Sequence, residues 1–175
     1  MVVRLTGGDL ALLSRRLGVS RPSELKAAGV VALVREDVSG RPVWRPRLRF
    51  RTRPRRQCPF LVNDVGEDGA YRGLCSLHPD AKPLVCALSP LAREVETRTD
   101  SDAVSETWSF VPPVSSCPGV GQGTELEVAA PAALRRRLDG EIRWMKRLIE
   151  AGAGCSDEAA AWALLDSWGL EAPAS

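Results

Sequence analysis

Four cysteines at 58, 75, 86 and 117 stand in segments dense with proline and glycine: Cys58-Pro59-Phe60-Leu61, Cys75-Ser76-Leu77-His78-Pro79, Lys82-Pro83-Leu84-Val85-Cys86 and Cys117-Pro118-Gly119. Thiolates bind soft or borderline metals, and proline and glycine let a short loop turn its sulfurs inward. Sixteen, ten and thirty residues separate the four in turn, and no Cys-x-x-Cys pair occurs. Zinc fingers and ribbons usually supply their ligands as such close pairs, so spacing alone leaves zinc, iron-sulfur ligation and unligated buried thiols all open. His78, the one histidine, follows Cys75 by three residues. A Cys-x-x-His turn can place both side chains on one ion, although four cysteines already complete a tetrahedral shell. No phosphate-binding glycine loop, dinucleotide fingerprint or nucleophile elbow is present, and no catalytic carboxylate pair can be picked out, so the reading leans away from an enzyme. The glycines of Gly119-Val120-Gly121-Gln122-Gly123 follow Cys117 and read as part of a ligand loop.

The elements that must position these groups begin with an N-terminal helix. Thr6 caps it with Asp9 three residues on, Leu10, Leu13 and Leu17 recur on one face, and Gly18 stops it. Ser20, Pro22 and Glu24 start a second, shorter helix running to about Gly29. Val30 to Val34 predicts a strand, Ser39-Gly40 a turn, and Val43 to Phe50 a partner strand on which Trp44, Leu48 and Phe50 alternate with Arg45, Arg47 and Arg49. From Arg56 to about Gly123 helical periodicity largely vanishes, apart from an alternating stretch at Thr107 to Val111. So long an irregular stretch needs a constraint, and a metal held by the four cysteines would supply one, because site formation and loop ordering are then one free-energy change. Leu134, Leu138, Ile142, Met145 and Ile149 then mark one face of a long helix beginning near Pro131. Ser156, Asp157 and Glu158 start a last helix whose apolar face carries Trp162, Leu165 and Trp168, and Gly169 ends it.

The expected architecture is therefore α+β: a small, loop-rich metal-binding domain with short N-terminal helices, a hairpin, an irregular cysteine region and a C-terminal helical extension. We divide it as residues 1–125 for the cysteine-cluster domain and 126–175 for the helical extension packed on it. Composition agrees, since 175 residues with 44% hydrophobic and 26% charged side chains suffice for one core. No run of 18 apolar residues and no charged segment followed by an apolar signal core is present, so we expect a cytoplasmic protein without a membrane partner. Five cysteines in a reducing compartment do not make a disulfide framework, and the odd number leaves Cys155 outside the fourfold set.

The order Leu5-Thr6-Gly7-Gly8-Asp9-Leu10, Cys58-Pro59-Phe60-Leu61, the run from Cys75 to Pro90 and Cys117-Pro118-Gly119-Val120-Gly121 resembles the YkgJ-type cysteine-cluster family, a zinc- or iron-chelating domain. The similarity spans about residues 2 to 123. It implies that Cys58, Cys75, Cys86 and Cys117 are ligands of zinc or of an iron or iron-sulfur centre. It also implies that Lys82-Pro83 stands where Arg-Pro is common, and His78 where an aromatic or histidine is common. Members of that family carry a further Cys-x-x-Cys-Cys cluster before the Leu-Thr segment, whereas here Met1 stands four residues before Leu5. Either the start lies upstream or the site is a smaller one of four ligands. The domain also occurs within larger proteins that modify other proteins, which gives a role as accessory domain of such an enzyme, with a protein partner, as one alternative. A second alternative is nucleic-acid binding by the Arg41 to Arg56 segment, in which eight arginines are interleaved with Trp44 and Phe50, helped by Arg135-Arg136-Arg137. The net charge of +2, with 22 acidic residues against 24 basic ones, weighs against it.

Overall fold

The computed structural model describes residues 2–38, 40–52, 57–69, 71–78, 80–89, 91–97, 104–110 and 132–170. Its elements in chain order are α1 (Gly7–Leu17), α2 (Pro22–Ala27), β1 (Val31–Val38), β2 (Arg41–Leu48), β3 (Leu61–Val65), β4 (Tyr71–Cys75), α3 (Leu84–Leu88), β5 (Leu91–Thr97), β6 (Val104–Phe110), α4 (Ala132–Gly152) and α5 (Glu158–Trp168). The strands form three antiparallel pairs, β1–β2, β3–β4 and β5–β6. This is an α+β fold.

α1 starts where its capping box directs. The Asp9 amide donates to Thr6 Oγ1 at 3.1 Å and the Thr6 amide to Asp9 Oδ2 at 2.9 Å, and Gly18 closes the helix at φ 68°. Leu10 and Leu13 are buried as expected, but Leu17 is exposed, because the last turn runs past the core. α2 carries no side-chain cap on its own N-cap, Arg21. Instead Glu24 reaches back to accept the Ser20 amide at 2.8 Å. The β1–β2 hairpin pairs Val31 with Leu48 through to Val38 with Arg41, and the Asp37 carboxylate receives the Gly40 amide at 2.8 Å. The segment Val3–Leu5 borders β2, with the Leu5 amide donating to the Pro46 carbonyl and the Leu48 amide to the Val3 carbonyl, both at 2.9 Å.

The core is built from Val3, Leu5, Leu10, Leu13, Leu25, Val31, Leu33 and Leu48 together with Leu148, Ala161, Trp162 and Leu165 of the last two helices. α4 packs on β2, α1 and α3, and α5 on α2, so the C-terminal helices complete the same core as the N-terminal elements. Among the described residues of α4, Leu138, Leu148 and Gly152 are buried, while Leu134, Ile142, Met145 and Ile149 are half-buried. The buried face is thus rotated from the expected stripe and takes in Leu148. Trp162 and Leu165 are buried, and the Asp157 carboxylate caps α5 by accepting the Ala160 amide at 2.9 Å.

The stretch read as irregular differs most from expectation. Its described residues form two hairpins and a short helix, with the alternation at Thr107 falling on β6. Periodicity missed β3 and β4 because period-2 alternation appears only when one face of a sheet is buried. Here Leu61, Val62, Val65 and Leu74 are all exposed.

Candidate metal centre

Three of the four candidate ligands lie among the described residues, two of them set by backbone turns and the third by a helix pinned through a side chain. The Leu61 amide donates to the Cys58 carbonyl at 3.2 Å, closing a tight turn over Cys58-Pro59-Phe60-Leu61 with proline at its second position. The His78 amide donates to the Cys75 carbonyl at 3.0 Å and closes a second such turn over Cys75-Ser76-Leu77-His78. Both turns sit at the same end of the β3–β4 hairpin, where Leu61 pairs with Cys75 and the Ser76 amide donates to the Phe60 carbonyl at 2.9 Å. Each cysteine therefore heads a turn, and the hairpin register brings the two turns side by side.

Cys86 arrives on α3. That helix is held at its start by a single carboxylate: the Leu84 amide donates to Asp9 Oδ1 at 2.9 Å, and Arg137 Nη2 donates to the same oxygen at 2.9 Å and to the Lys82 carbonyl at 2.8 Å. Asp9 thus closes the cap of α1, starts α3 and fastens α4. Its burial raises its pKa, opposed by the Thr6 amide, the Arg137 charge and the Leu84 amide. Each of the three cysteines lies two residues from a buried apolar anchor, Phe60, Leu77 and Leu84 respectively. All three are half-buried free thiols packed against the core.

Burial pushes the Cys86 thiol up to about 11, and the neighbouring Cys58 and Cys75 push it the same way against the pull of Lys82. The three thiols thus share one electrostatic neighbourhood. They are not at chelating separation, since among the described residues no three His, Cys, Asp or Glu side chains are grouped so as to hold a metal ion. These two observations are compatible, because charge acts over several ångströms whereas a zinc–sulfur bond spans about 2.3 Å. The donor chemistry, all sulfur, suits zinc or iron and not a hard cation.

His78 is exposed at the fourth position of its turn. Cys117 lies outside the described residues, as do Arg53, Arg55 and Arg56. Cys155 lies between α4 and α5, its amide donating to the Gly152 carbonyl at 3.0 Å, away from the two turns in sequence and in element.

The arginine segment is only partly a free basic face. Arg45 and Arg47 turn to Glu36 on β1, with Arg45 Nη1 at 3.6 Å and Arg47 in direct hydrogen bond, and Arg4 Nε reaches the same carboxylate at 3.2 Å. Arg41, Arg49 and Arg51 are exposed. The triplet on α4 also splits, with Arg135 on Glu106 at 3.0 Å and Arg137 on Asp9. Two residues that position the site, Asp9 and Arg137, carried no chemistry in the sequence beyond a helix cap and one member of a basic run. The usable signal was Asp9's position in the capping box, which shows one of its oxygens engaged and the other still to be accounted for.

Among the described residues no helix is long and apolar enough to cross a membrane. No protein-family model, curated protein or solved structure matches this chain.

Proposed function

We propose that this protein is a thiolate metal-binding module in which Cys58, Cys75 and Cys86, with Cys117 as fourth ligand, hold zinc or an iron centre. The observation that carries the reading is the convergence of three cysteines from separate segments: two head adjacent turns at one end of a hairpin, and the third rides on a helix pinned to the same core. The motif resemblance to the YkgJ-type family leans the same way. A bound cation would draw the thiols from their present separation into a closed shell and favour their ionised form, so that metal binding and tightening of this region are one equilibrium. The bound metal would supply a structural cross-link if it is a single zinc, or electron transfer if it is an iron-sulfur centre.

The test is elemental analysis of the protein purified without oxygen and without a histidine tag. About one zinc per chain supports a four-cysteine structural site, and several irons per chain support a cluster. Neither metal, in protein that is folded by circular dichroism, overturns the reading.

A further inference from the structure

A second feature, away from the cysteines, is a cavity of about 350 Å³ between the start of α1, one face of α4 and the end of α5. Its size falls at the small end of the range for small-molecule sites. Arg136, Arg143 and Arg147 line it at helical spacing, and Trp144, Trp168 and Leu165 supply apolar wall. The Arg147 guanidinium lies 4.4 Å from the centre of the Trp168 ring. Among the described residues no carboxylate pairs with Arg136 or Arg143, whereas the neighbouring Arg135 and Arg137 are each committed to one. The acidic residue of the lining, Glu141, is bound to Arg93 at 3.3 Å. The lining therefore combines guanidinium groups with indole rings.

Gly140 gives an independent pointer. It sits within α4, where glycine costs about 1 kcal/mol relative to alanine. No neighbour requires it: a Cβ at this position would meet nothing within 4 Å. Gly140 lines the cavity about one helical turn from both Arg136 and Arg143, and its missing side chain leaves space there. Gly7 and Gly8 border the same space, and their first-turn amides have no acceptor inside α1.

We propose that this cavity binds a small phosphorylated molecule with a planar body, of mononucleotide size. Guanidinium groups match the oxygens of a phosphate as forks of parallel donors, and indole walls favour a flat apolar partner over a bare anion. The cavity shares none of the cysteines with the metal centre, and although Thr6 and Arg137 both line it and bond Asp9, Arg136, Arg143 and Gly140 take no part in holding that centre.

The test titrates AMP into the full chain by calorimetry, with inorganic phosphate and adenosine in parallel. AMP is expected to bind more tightly than either fragment and to quench tryptophan fluorescence. The double variant Arg136→Ala/Arg143→Ala should weaken AMP by about tenfold or more. Gly140→Leu should abolish binding by placing a side chain in the lining between the two arginines, with an unchanged or higher melting temperature, since a Cβ there meets no neighbour and leucine is the better helix former. No saturable AMP binding, or binding unaltered in both variants, overturns the proposal. Phosphate binding as tightly as AMP overturns the planar half of the ligand assignment.

Discussion

Asp9 and Arg137 are 128 residues apart in the chain and meet at 2.9 Å, with the Asp9 side chain fully buried and that of Arg137 20% exposed. The same carboxylate takes amides from Thr6 and Leu84. One side chain thereby fixes the start of the helix that carries Cys86 relative to both α1 and α4.

Replacing Asp9 with alanine should cost about 3 kcal/mol, because it strands a largely buried guanidinium and two helix-start amides. Asp9→Asn, which keeps one acceptor oxygen, should cost less. Urea unfolding midpoints compare the three proteins, and equal midpoints for wild type and Asp9→Ala would remove the role assigned to this carboxylate.

Among the cysteines, Cys86→Ser and Cys75→Ser should each lose bound metal, while Cys155→Ser should retain the wild-type content. Metal-to-protein ratios of the three variants decide it. Full metal occupancy in Cys86→Ser would exclude that thiol as a ligand.

Glu36 gathers Arg4, Arg45 and Arg47 on the β1–β2 hairpin. Glu36→Gln should destabilise by about 2 kcal/mol, as expected for hydrogen bonds to a charged group. High salt should recover part of the loss by screening the three like charges. Denaturant melts at low and high ionic strength read both effects.

Acid sensitivity should centre on Arg93, which bonds Glu106 at 2.7 Å and is 3% exposed. The hydrogen bond from Arg93, followed by that from Arg135, holds the Glu106 carboxyl below its ordinary value. A depressed carboxylate contributes stability that is present above the unfolded value, about 4.3, and is lost as pH falls below it. Glu106→Gln should therefore lower stability at neutral pH and flatten the loss between pH 5 and 3, as melting temperature against pH would show.

Gly7 has a packing reason that Gly140 lacks, since a methyl on it would overlap the Trp144 indole. Gly7→Ala should destabilise by about 1–3 kcal/mol through overpacking, measured by thermal melts. An unchanged melting temperature would mean that the indole moves aside freely.

What the sequence revealed followed local rules. The cap at Thr6 and Asp9, the stop at Gly18, the turn at Gly40 and the start of α5 all rest on interactions within four residues of each other, and these were legible. β3 and β4 were not, because Val62 and Leu74 face each other in the open and leave no buried stripe to read. The register of α4 was off by part of a turn: Leu148 is buried against the hairpin by β2, a contact set by the tertiary fold. Of the site, the cysteines were visible as residue types, but their convergence depends on the Leu61–Cys75 register and on Asp9 reaching α3, both long-range. Arg137 looked like one of three equivalent arginines until Asp9 separated it from Arg135 and Arg136.

The Asp9 clasp also orders events during synthesis. Thr6 leaves the ribosome beside Asp9, but the Leu84 amide follows 75 residues after it and the Arg137 guanidinium 128 residues after it. Until then the carboxylate has amides but no cation, and the apolar faces of α1 and β2 have no α4 to cover them. A nascent chain of this design passes through a prolonged stage with sticky surface exposed, which is the stage at which aggregation competes and a holding chaperone acts. Shortening the chain before α4 would make that stage permanent.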